Sequence, residues 1–285
     1  MRSPDLYQAI LARRSVRRYE RTPLDEATLD RVRAIIAGVH PLVPAQRYQV
    51  LLRTTAPGED LVAALGGYGR IVNPPHYLVP FLVGDEHPLE DLGYRAEQIA
   101  VRLTQMGLGS CYLACLGRQR AVRARFGLPE RARIGALLIF GWASGALAGR
   151  AVNRLLRAAV RATRRLPVER IFFRETFDNP GPPPEDLAPL IEAARHAPSA
   201  VNTQPWRFLW HQGELHLFVR RRNLQYGTRA GAALRLYDGG ICMANVSLAL
   251  EALGMQGRWL LYEGSEPTIP PHPAALQPLA HLELT

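Results

Sequence analysis

An internal repeat is the feature of this sequence that most restricts its fold, because repeated segments of a chain adopt related structures. Residues 13–50 align with residues 171–208 after a shift of 158 positions. Residues 91–113 align with residues 238–260 after a shift of 147. The matches keep their order along the chain, so the sequence predicts a tandem duplication. The aligned pairs are Tyr19 with Phe177, Glu20 with Asp178, Leu29 with Leu187, Gln46 with Gln204, Tyr48 with Trp206, Val50 with Phe208, Asp91 with Asp238, Leu103 with Leu250, Gly107 with Gly254 and Tyr112 with Trp259.

Each copy has the pattern of an α+β unit. A polar, proline-containing entry leads into an amphipathic helix with acidic residues in its first turn, where they complement the helix dipole. A strand or hairpin follows, then a long helix that ends at a glycine, then another strand. We therefore predict an α+β fold of two related halves, 1–172 and 173–285, each with a central mixed β-sheet flanked by helices. The predicted helices include 25–38 and 184–197, and the predicted strands include 48–54, the hairpin 206–219, 133–143 and 279–285.

Two segments are rich in polar residues in one copy but not at the aligned positions of the other copy. The segment "RRSVRRY" (13–19) aligns with "IFFRETF" (171–177), and "APSAVNTQPW" (197–206) aligns with "VHPLVPAQRY" (39–48). An isologous dimer interface combines different segments of its two subunits. A fused dimer that kept one polar segment from each half would therefore retain a single composite site. The replaced residues are Arg13 by Ile171, Ser15 by Phe173, Arg17 by Glu175, Ser199 by Pro41 and Asn202 by Pro44.

These segments resemble the flavin-dependent nitroreductase family. The resemblance rests on "RRSVRRY", "APSAVNTQPW", "GLGSCYL" (107–113) and "RRLP" (164–167), and it covers nearly the whole chain taken as two halves. In single-copy members all four motifs occur in one chain, and two chains bind two FMN molecules at their interface. The sequence is similar to members in which one chain holds two such folds. The resemblance thus implies an intrachain pseudo-dimer with one FMN per chain.

The resemblance also implies which residues contact the flavin. Arg13, Ser15 and Arg17 alternate, so their side chains would share one face of an extended segment, and by resemblance they bind the phosphate and ribityl chain. Arg165 matches a late basic residue that reaches the phosphate, with Arg164 beside it as the alternative. The complete implied set is Arg13, Arg14, Ser15, Arg17, Arg70, Tyr112, Leu113, Ala114, Arg164, Arg165, Pro198, Ser199, Ala200 and Asn202.

Some of these assignments have a structural alternative. The basic segment 13–18 is also typical of a solvated turn, and a capped loop is the alternative at 198–202. Ala114 stands where the family usually has glycine, which alters how closely the backbone approaches the flavin ring. Arg70 matches a position where a basic residue often lies near the flavin, and a surface arginine is the alternative.

The activity that the resemblance implies is that of an FMN-dependent NAD(P)H oxidoreductase. NAD(P)H would pass a hydride to the flavin N5, and a nitroaromatic, quinone or similar flat acceptor would then occupy the same place, giving ping-pong kinetics. Because the flavin carries this chemistry, we expect neither a catalytic protein side chain nor a metal ion. A flavin-binding protein without turnover, acting as a carrier or sensor, is the alternative.

The net charge of +10 raises a third hypothesis, a nucleic-acid-binding protein. All 35 cationic residues are arginine, and the stretch 150–170 is especially basic. Arginine also suits bidentate phosphate binding in general. The charge therefore does not distinguish a polynucleotide from a small phosphorylated cofactor.

The cysteines, the histidines and the apolar segments indicate the surroundings in which the protein works. Cys111, Cys115 and Cys242 lack metal-like spacing and are expected to be buried, reduced thiols. His211 and His216 flank the predicted hairpin turn and are expected in solvent rather than on a metal ion. The sequence has neither a membrane-length apolar stretch nor a secretory signal pattern, so we expect a cytoplasmic protein. A monomer is compatible with an intrachain pseudo-dimer.

Overall fold

Two β-sheets, one in each half of the chain, organise the structure. The computed structural model describes residues 5–56, 59, 72, 74–145, 164–222, 225, 229–263 and 269–285. Its strands are β1 Arg47–Thr54, β2 His76–Val83, β3 Gly109–Ala114, β4 Ala136–Gly141, β5 Phe172–Arg174, β6 Trp206–His211, β7 Glu214–Arg220, β8 Gly257–Leu261 and β9 Leu276–Leu284. The first sheet has the order β1-β2-β4-β3, and the second has the order β5-β6-β7-β9-β8.

Helices flank both sheets, which confirms the predicted α+β class. An aspartate caps each of the first two, since the Asp5 and Asp25 side chains accept a hydrogen bond from the amide three residues on, each at 2.7 Å. The helices are α1 Leu6–Ala12, α2 Glu26–Ala37, α3 Pro88–Gln105, α4 Gln119–Phe126, α5 Ala188–His196, α6 Arg229–Ala232 and α7 Leu234–Leu253, with short 3₁₀ helices at Leu116–Arg118, Val168–Arg170 and Ala200–Asn202.

The two sheets share one strand topology. The order β1-β2-β4-β3 of the first sheet recurs as β6-β7-β9-β8 in the second, and all neighbouring pairs in these series are antiparallel. The second sheet adds β5, which runs parallel to β6 at the edge. The structure therefore repeats an arrangement of four strands, as a duplicated α+β unit requires.

The long helices α3 and α7 cross by a reciprocal contact. A Cβ atom added at Gly93 would overlap the carbonyl oxygen of Tyr237, and one added at Gly240 would overlap the carbonyl oxygen of Glu90. The shift of 147 relates Gly93 to Gly240 and Glu90 to Tyr237. The contact thus repeats itself under exchange of the two halves, which is the property of an isologous interface.

A second pair of equivalent contacts supports both alignment shifts. The Leu42 amide donates to Asp91 Oδ1 at 2.8 Å in the first half, and the Ala200 amide donates to Asp238 Oδ1 at 3.1 Å in the second. The shift of 158 relates the two amide donors, and the shift of 147 relates the two aspartates. Equivalent aspartates therefore bind equivalent loops in the two copies.

The repeat does not extend to the first arginine-rich segment, which corrects the alignment of 13–19 with 171–177. Ser15 pairs with Ser110 on β3, whereas its aligned counterpart Phe173 lies in β5 and pairs with β6. The equivalent of β3 is β8, at the opposite edge of its sheet from β6. Since the aligned segments occupy non-equivalent edges, the differences between them are not losses from a matched site.

The elements predicted after residue 25 are present in the structure. The long helices end at Gly107 and Gly254, with φ of +80° and +69°, a conformation that favours glycine. The prediction did not include the strands β2, β3, β5 and β8 or the helices α4 and α6. One buried cluster joins both halves and includes Ile10, Leu92 and Trp206. Across the described ranges, no helix has the combined length and apolar character that spanning a membrane requires.

Candidate functional site

The segment after α1 lies along strand β3. Arg13 leaves the helix with a ψ of 126°. The Val16 amide donates to the Ser110 carbonyl at 2.9 Å, and Ser15 pairs with Ser110 as a parallel bridge. This backbone pairing holds the segment in place and places the Arg13 side chain beside α3.

Arg13 is a buried cation with unused donors. The residue is 5% exposed, and its Nε atom lies 3.4 Å from Oε1 of Glu97 on α3. Among the described residues, neither Nε nor Nη1 of Arg13 has a hydrogen-bond partner, and the Ser110 hydroxyl is likewise buried without one. Buried polar groups nearly always have partners in folded proteins. These atoms therefore indicate a place for a ligand rich in hydrogen-bond acceptors.

Glu97 is the site residue that the sequence analysis missed. It is fully buried on α3, and its Oε2 atom accepts a hydrogen bond from the Tyr112 hydroxyl at 2.7 Å. Burial raises the pKa of the Glu97 carboxyl to about 7, although Arg13, the Tyr112 hydroxyl and Arg165 act in the opposite direction. The signal in the sequence is a carboxylate on a helix face that otherwise carries Gly93 and Ala100.

Arg165 joins the first half to the loop of the second half. Its Nη1 atom donates to Asn202 Oδ1 at 3.2 Å, and its Nη2 atom donates to the His196 carbonyl at 2.9 Å. Burial lowers the pKa of Arg165 to about 10, with the nearby Arg13 cation as the next cause. Two arginines thus lie close enough to repel each other, with Glu97 near both.

The loop at 198–204 has unusual backbone geometry. Val201, Asn202 and Gln204 have φ of 45°, 57° and 46°, which L-residues adopt at a cost. The Ser199 hydroxyl accepts a hydrogen bond from the Gln204 amide at 2.9 Å, and Asn202 Nδ2 donates to the Arg164 carbonyl at 2.9 Å. These contacts hold the predicted flavin-contacting loop against the segment that carries Arg165.

Ser15 and Arg17 gather with Arg13 near Cys111. Burial raises the pKa of the Cys111 thiol, whereas Arg17, the Ser15 hydroxyl and Arg13 act to lower it. The three alternating side chains predicted to share one face therefore surround the same residue of β3. Within the described part of the chain, the three cysteines are buried and unpaired, as predicted.

The other predicted residues differ in their accessibility. Tyr112 is partly exposed and makes an edge-to-face contact with Tyr237 of α7, at a centroid distance of 6.1 Å. The remaining side chains are exposed at Arg14, Ala114 and Arg164, intermediate at Ser199 and Ala200, and buried at Leu113 and Pro198, while Arg70 and most of the stretch 150–170 lie outside the described residues.

One histidine contradicts the sequence-based expectation, and another connects the two halves. His216 is 2% exposed rather than solvated, because β7 places it between β6 and β9, and its Nδ1 atom lies 2.6 Å from the Tyr262 hydroxyl. His196 Nδ1 lies 3.0 Å from the Leu11 carbonyl and so connects α5 to the residues before Arg13. Across the described residues, no group of three or more His, Cys, Asp or Glu side chains could hold a metal ion.

A cavity of about 610 Å³ lies at the start of α4. It is lined by Gly117, Arg118, Arg120, Ala121 and Ala124. It begins three residues after Ala114, the last residue of β3, and the sequence analysis did not single it out.

Comparison with solved structures shows the fold of the whole chain. A structure described as a "putative nitroreductase" from Thermotoga maritima MSB8 matches with a TM-score of 0.61 and 17% identity, covering 100% of this chain and 95% of that one. An FMN-dependent nitroreductase from Clostridium difficile R20291 matches with a TM-score of 0.41 and 17% identity, covering 48% and 87%. Nitroreductase A from Vibrio parahaemolyticus RIMD 2210633 matches with a TM-score of 0.43 and 20% identity, covering 48% and 67%. No curated protein matches.

The comparison with protein families covers most of the sequence. A family model described as "Putative TM nitroreductase" matches residues 5–250. This match agrees with the motifs and with the full-length structural similarity. The chain therefore belongs to the nitroreductase family, a family of oxidoreductases.

Proposed function

We propose that the chain is an FMN-dependent NAD(P)H oxidoreductase of the nitroreductase type with one composite flavin site. The observation that carries this proposal is the buried Arg13 guanidinium, which keeps unused donors near a second, partly buried arginine, Arg165. Family membership supports the reaction class. The site joins Arg13 of the first half to Asn202 of the second through contacts of Glu97, Arg165 and Leu11.

The donors at the site fit the chemistry of FMN. Phosphate binding favours arginine, whose planar guanidinium presents several donors to the phosphate oxygens. Among the described residues, Arg13 Nε and Nη1 and the Ser110 hydroxyl are buried without a hydrogen bond, although Nε also forms an ion pair with Glu97 at 3.4 Å. Arg13 and Arg165 would hold the phosphate, and Ser15 and Arg17 would hold the phosphate and ribityl chain.

The flavin ring would lie between elements of both halves. The end of β3, Tyr112 to Ala114, would contact the redox-active edge of the ring, and the loop at 198–202 would approach the ring from the second half. When bound, FMN supplies hydride transfer from NAD(P)H to a nitroaromatic, quinone or similar flat acceptor, with ping-pong kinetics. Small residues and buried apolar side chains, among them Leu113 and Pro198, would hold the ring and exclude water.

A single site per chain is supported by polar residues whose aligned positions in the other copy carry residues that could not replace them. The alignment places Ala244 opposite Glu97 and Pro44 opposite Asn202. We therefore propose one FMN per chain, held between halves 1–172 and 173–285 that associate as an intrachain pseudo-dimer. Such a chain needs no second copy to complete its site.

A flavin-binding protein without turnover is the second candidate. Ala114 is the observation that favours it, because a methyl group at the end of β3 restricts how closely the backbone approaches a flat ring. Retained flavin that neither NADH nor NADPH reduces would support this candidate.

The test of the proposed function is reduction of the bound flavin. Purified protein is loaded with FMN, desalted, and mixed anaerobically with NADH or NADPH while the visible flavin absorbance is followed. We expect bleaching by at least one nicotinamide, then recovery of absorbance when a quinone or nitroaromatic is added. Protein that retains no FMN would contradict the proposal altogether.

A further inference from the structure

Glu97 lies close to Arg13 and Arg165, the proposed phosphate-binding cations. Its carboxylate is fully buried, 3.4 Å from Arg13 Nε and 2.7 Å from the Tyr112 hydroxyl. Its Oε1 atom has no hydrogen-bond partner among the described residues. Charged groups are costly to bury, so a carboxylate at this place needs an explanation beyond packing.

A bound phosphate and an ionised Glu97 compete for the same cations. Two negative groups that share a site raise the pKa of one of them, because the second charge is disfavoured. The carboxyl is the group that can become neutral by accepting a proton, and Oε1 is available to carry that proton. The titratable and charged groups that face Glu97 are Arg13 from the segment after α1, Tyr112 from β3, Arg165 from the segment before β5, and Tyr237 and Cys242 from α7.

We propose that Glu97 is a positioning residue that pairs with Arg13 in the empty site and takes up one proton from solvent when the FMN phosphate binds. The inference rests on the proposed function. In the empty protein the carboxylate offsets the repulsion between Arg13 and Arg165. In the loaded protein the phosphate takes over that role, and neutral Glu97 remains hydrogen-bonded to Tyr112.

The size of the proton uptake follows from the ionisation of the empty site. The pKa of Glu97 is raised to about 7, so about 0.9 of the carboxyl is ionised at pH 8 and about 0.1 at pH 6. Binding of FMN should therefore take up about 0.9 proton at pH 8 and far less at pH 6. By linkage, the Glu97 contribution weakens FMN binding about tenfold between pH 6 and pH 8.

The experiment is calorimetric titration of FMN into the full-length protein in two buffers that differ in ionisation enthalpy. The difference between the observed heats gives the protons taken up. At pH 8 the FMN phosphate is already dianionic, since its second pKa is about 6, so its own ionisation does not contribute. Riboflavin, which lacks the phosphate, is the matched ligand and should bind without proton uptake.

Two variants test whether the proton is taken up by Glu97 or by another buried carboxylate. Glu97→Gln should lose the proton uptake at pH 8 and bind FMN about tenfold more tightly there than the wild type. Glu90→Gln is the control, because Glu90 is also buried on α3 but faces His87 at 3.7 Å. It should retain the uptake in full.

The outcomes distinguish this inference from the proposed function. FMN binding without proton uptake at pH 8, or equal uptake by wild type and Glu97→Gln, would overturn the role of Glu97 and leave the flavin site intact. Absence of FMN binding by the wild type would overturn both. If Glu97→Gln does not fold, the comparison of FMN with riboflavin on the wild type at pH 8, where the phosphate does not titrate, tests the inference.

Discussion

Buried charges at the site depend on one another at the scale of single residues. Arg13, Glu97 and Arg165 each lack contact with bulk water over most of their surface, and each alters the electrostatics of the others. Removing one member of a buried ion pair leaves the other uncompensated, which costs more than the pair contributes. The consequence is a link between ligand binding, stability and pH.

Replacement of Arg13 by alanine should destabilise the protein in a pH-dependent way. The folded-state pKa of Glu97 is raised from 4.5 to about 7, so its contribution to stability is lost as pH rises between these values. Loss of the opposing cation enlarges this effect, and we expect Arg13→Ala to cost about 3 kcal/mol at pH 8 and less at pH 6. Urea unfolding at the two pH values measures it.

The neighbouring arginine provides the control for that variant. Arg14 is exposed, so Arg14→Ala should change stability by less than about 0.5 kcal/mol at either pH. Equal destabilisation by the two variants at pH 8 would show that the Arg13–Glu97 pair is not the source of the effect.

The sequence motifs include the cations of the proposed site but not its carboxylate, Glu97. The motif containing Arg13, Ser15 and Arg17 was recognisable because its residue types recur in the family. Glu97 was missed because a glutamate in an amphipathic helix usually faces solvent, and only the crossing of α3 and α7 makes its position a buried one. Contacts between distant elements decide such burial, and they leave no local pattern.

At the scale of elements, the crossing of α3 and α7 holds the two halves together. The helices approach so closely that a side-chain atom at either Gly93 or Gly240 would overlap backbone of the other helix. Backbone atoms cannot rotate away as a side chain can, so added volume there must separate the helices.

Alanine at Gly93 or Gly240 should therefore destabilise the protein, each by about 3 kcal/mol. The reciprocal contact predicts similar costs for the two variants. Gly117→Ala is the control, because nothing lies within 4 Å of a Cβ atom at that position. Chemical unfolding midpoints check the prediction, and a neutral effect at Gly93 would contradict the described crossing.

His216 in the second sheet should make the folded protein less stable in acid. Burial, followed by the neighbouring His281 and His211, lowers the pKa of His216 from 6.5 to about 4. A group with a depressed histidine pKa is neutral in the fold but protonated in the unfolded chain between these values. Stability should therefore fall as pH is lowered from about 6.5 toward 4.

Replacement of His216 by glutamine should flatten that part of the pH profile. Unfolding midpoints in urea between pH 7 and pH 4 would show the difference in slope. His40→Gln is the control, since the His40 side chain is exposed on the other half. An unchanged slope in His216→Gln would mean that other groups set the acid sensitivity.

Element prediction succeeded where periodicity was strong and failed at strands without alternation, such as the almost completely buried β2, and at short strands such as β3 and β8. The long helices and the glycines that end them were predicted, whereas α1, α4 and α6 were not. The alignment from Leu29 onward agrees with the recurring strand order. Strands β3 and β8 directly follow long helices and have little alternation to mark them. The extension of the repeat to 13–19 was wrong because a few chance matches continued an otherwise valid alignment past the end of the duplicated unit.

At the scale of the whole molecule, contacts connect the two halves around the proposed flavin site. Arg165 connects the first half to Asn202 in the second, and His196 of the second half contacts the Leu11 carbonyl of the first. The shared core between the halves holds these residues in register. A composite site of this kind makes single changes in either half equally damaging to ligand binding.

The most direct test of this account is the number of FMN molecules bound per chain. Fluorescence titration of the full-length protein should give one equivalent, with affinity reduced at least tenfold in both Arg13→Ala and Asn202→Ala, because each half supplies part of the site. Two equivalents, or a site that only one of the two variants weakens, would contradict a single composite site.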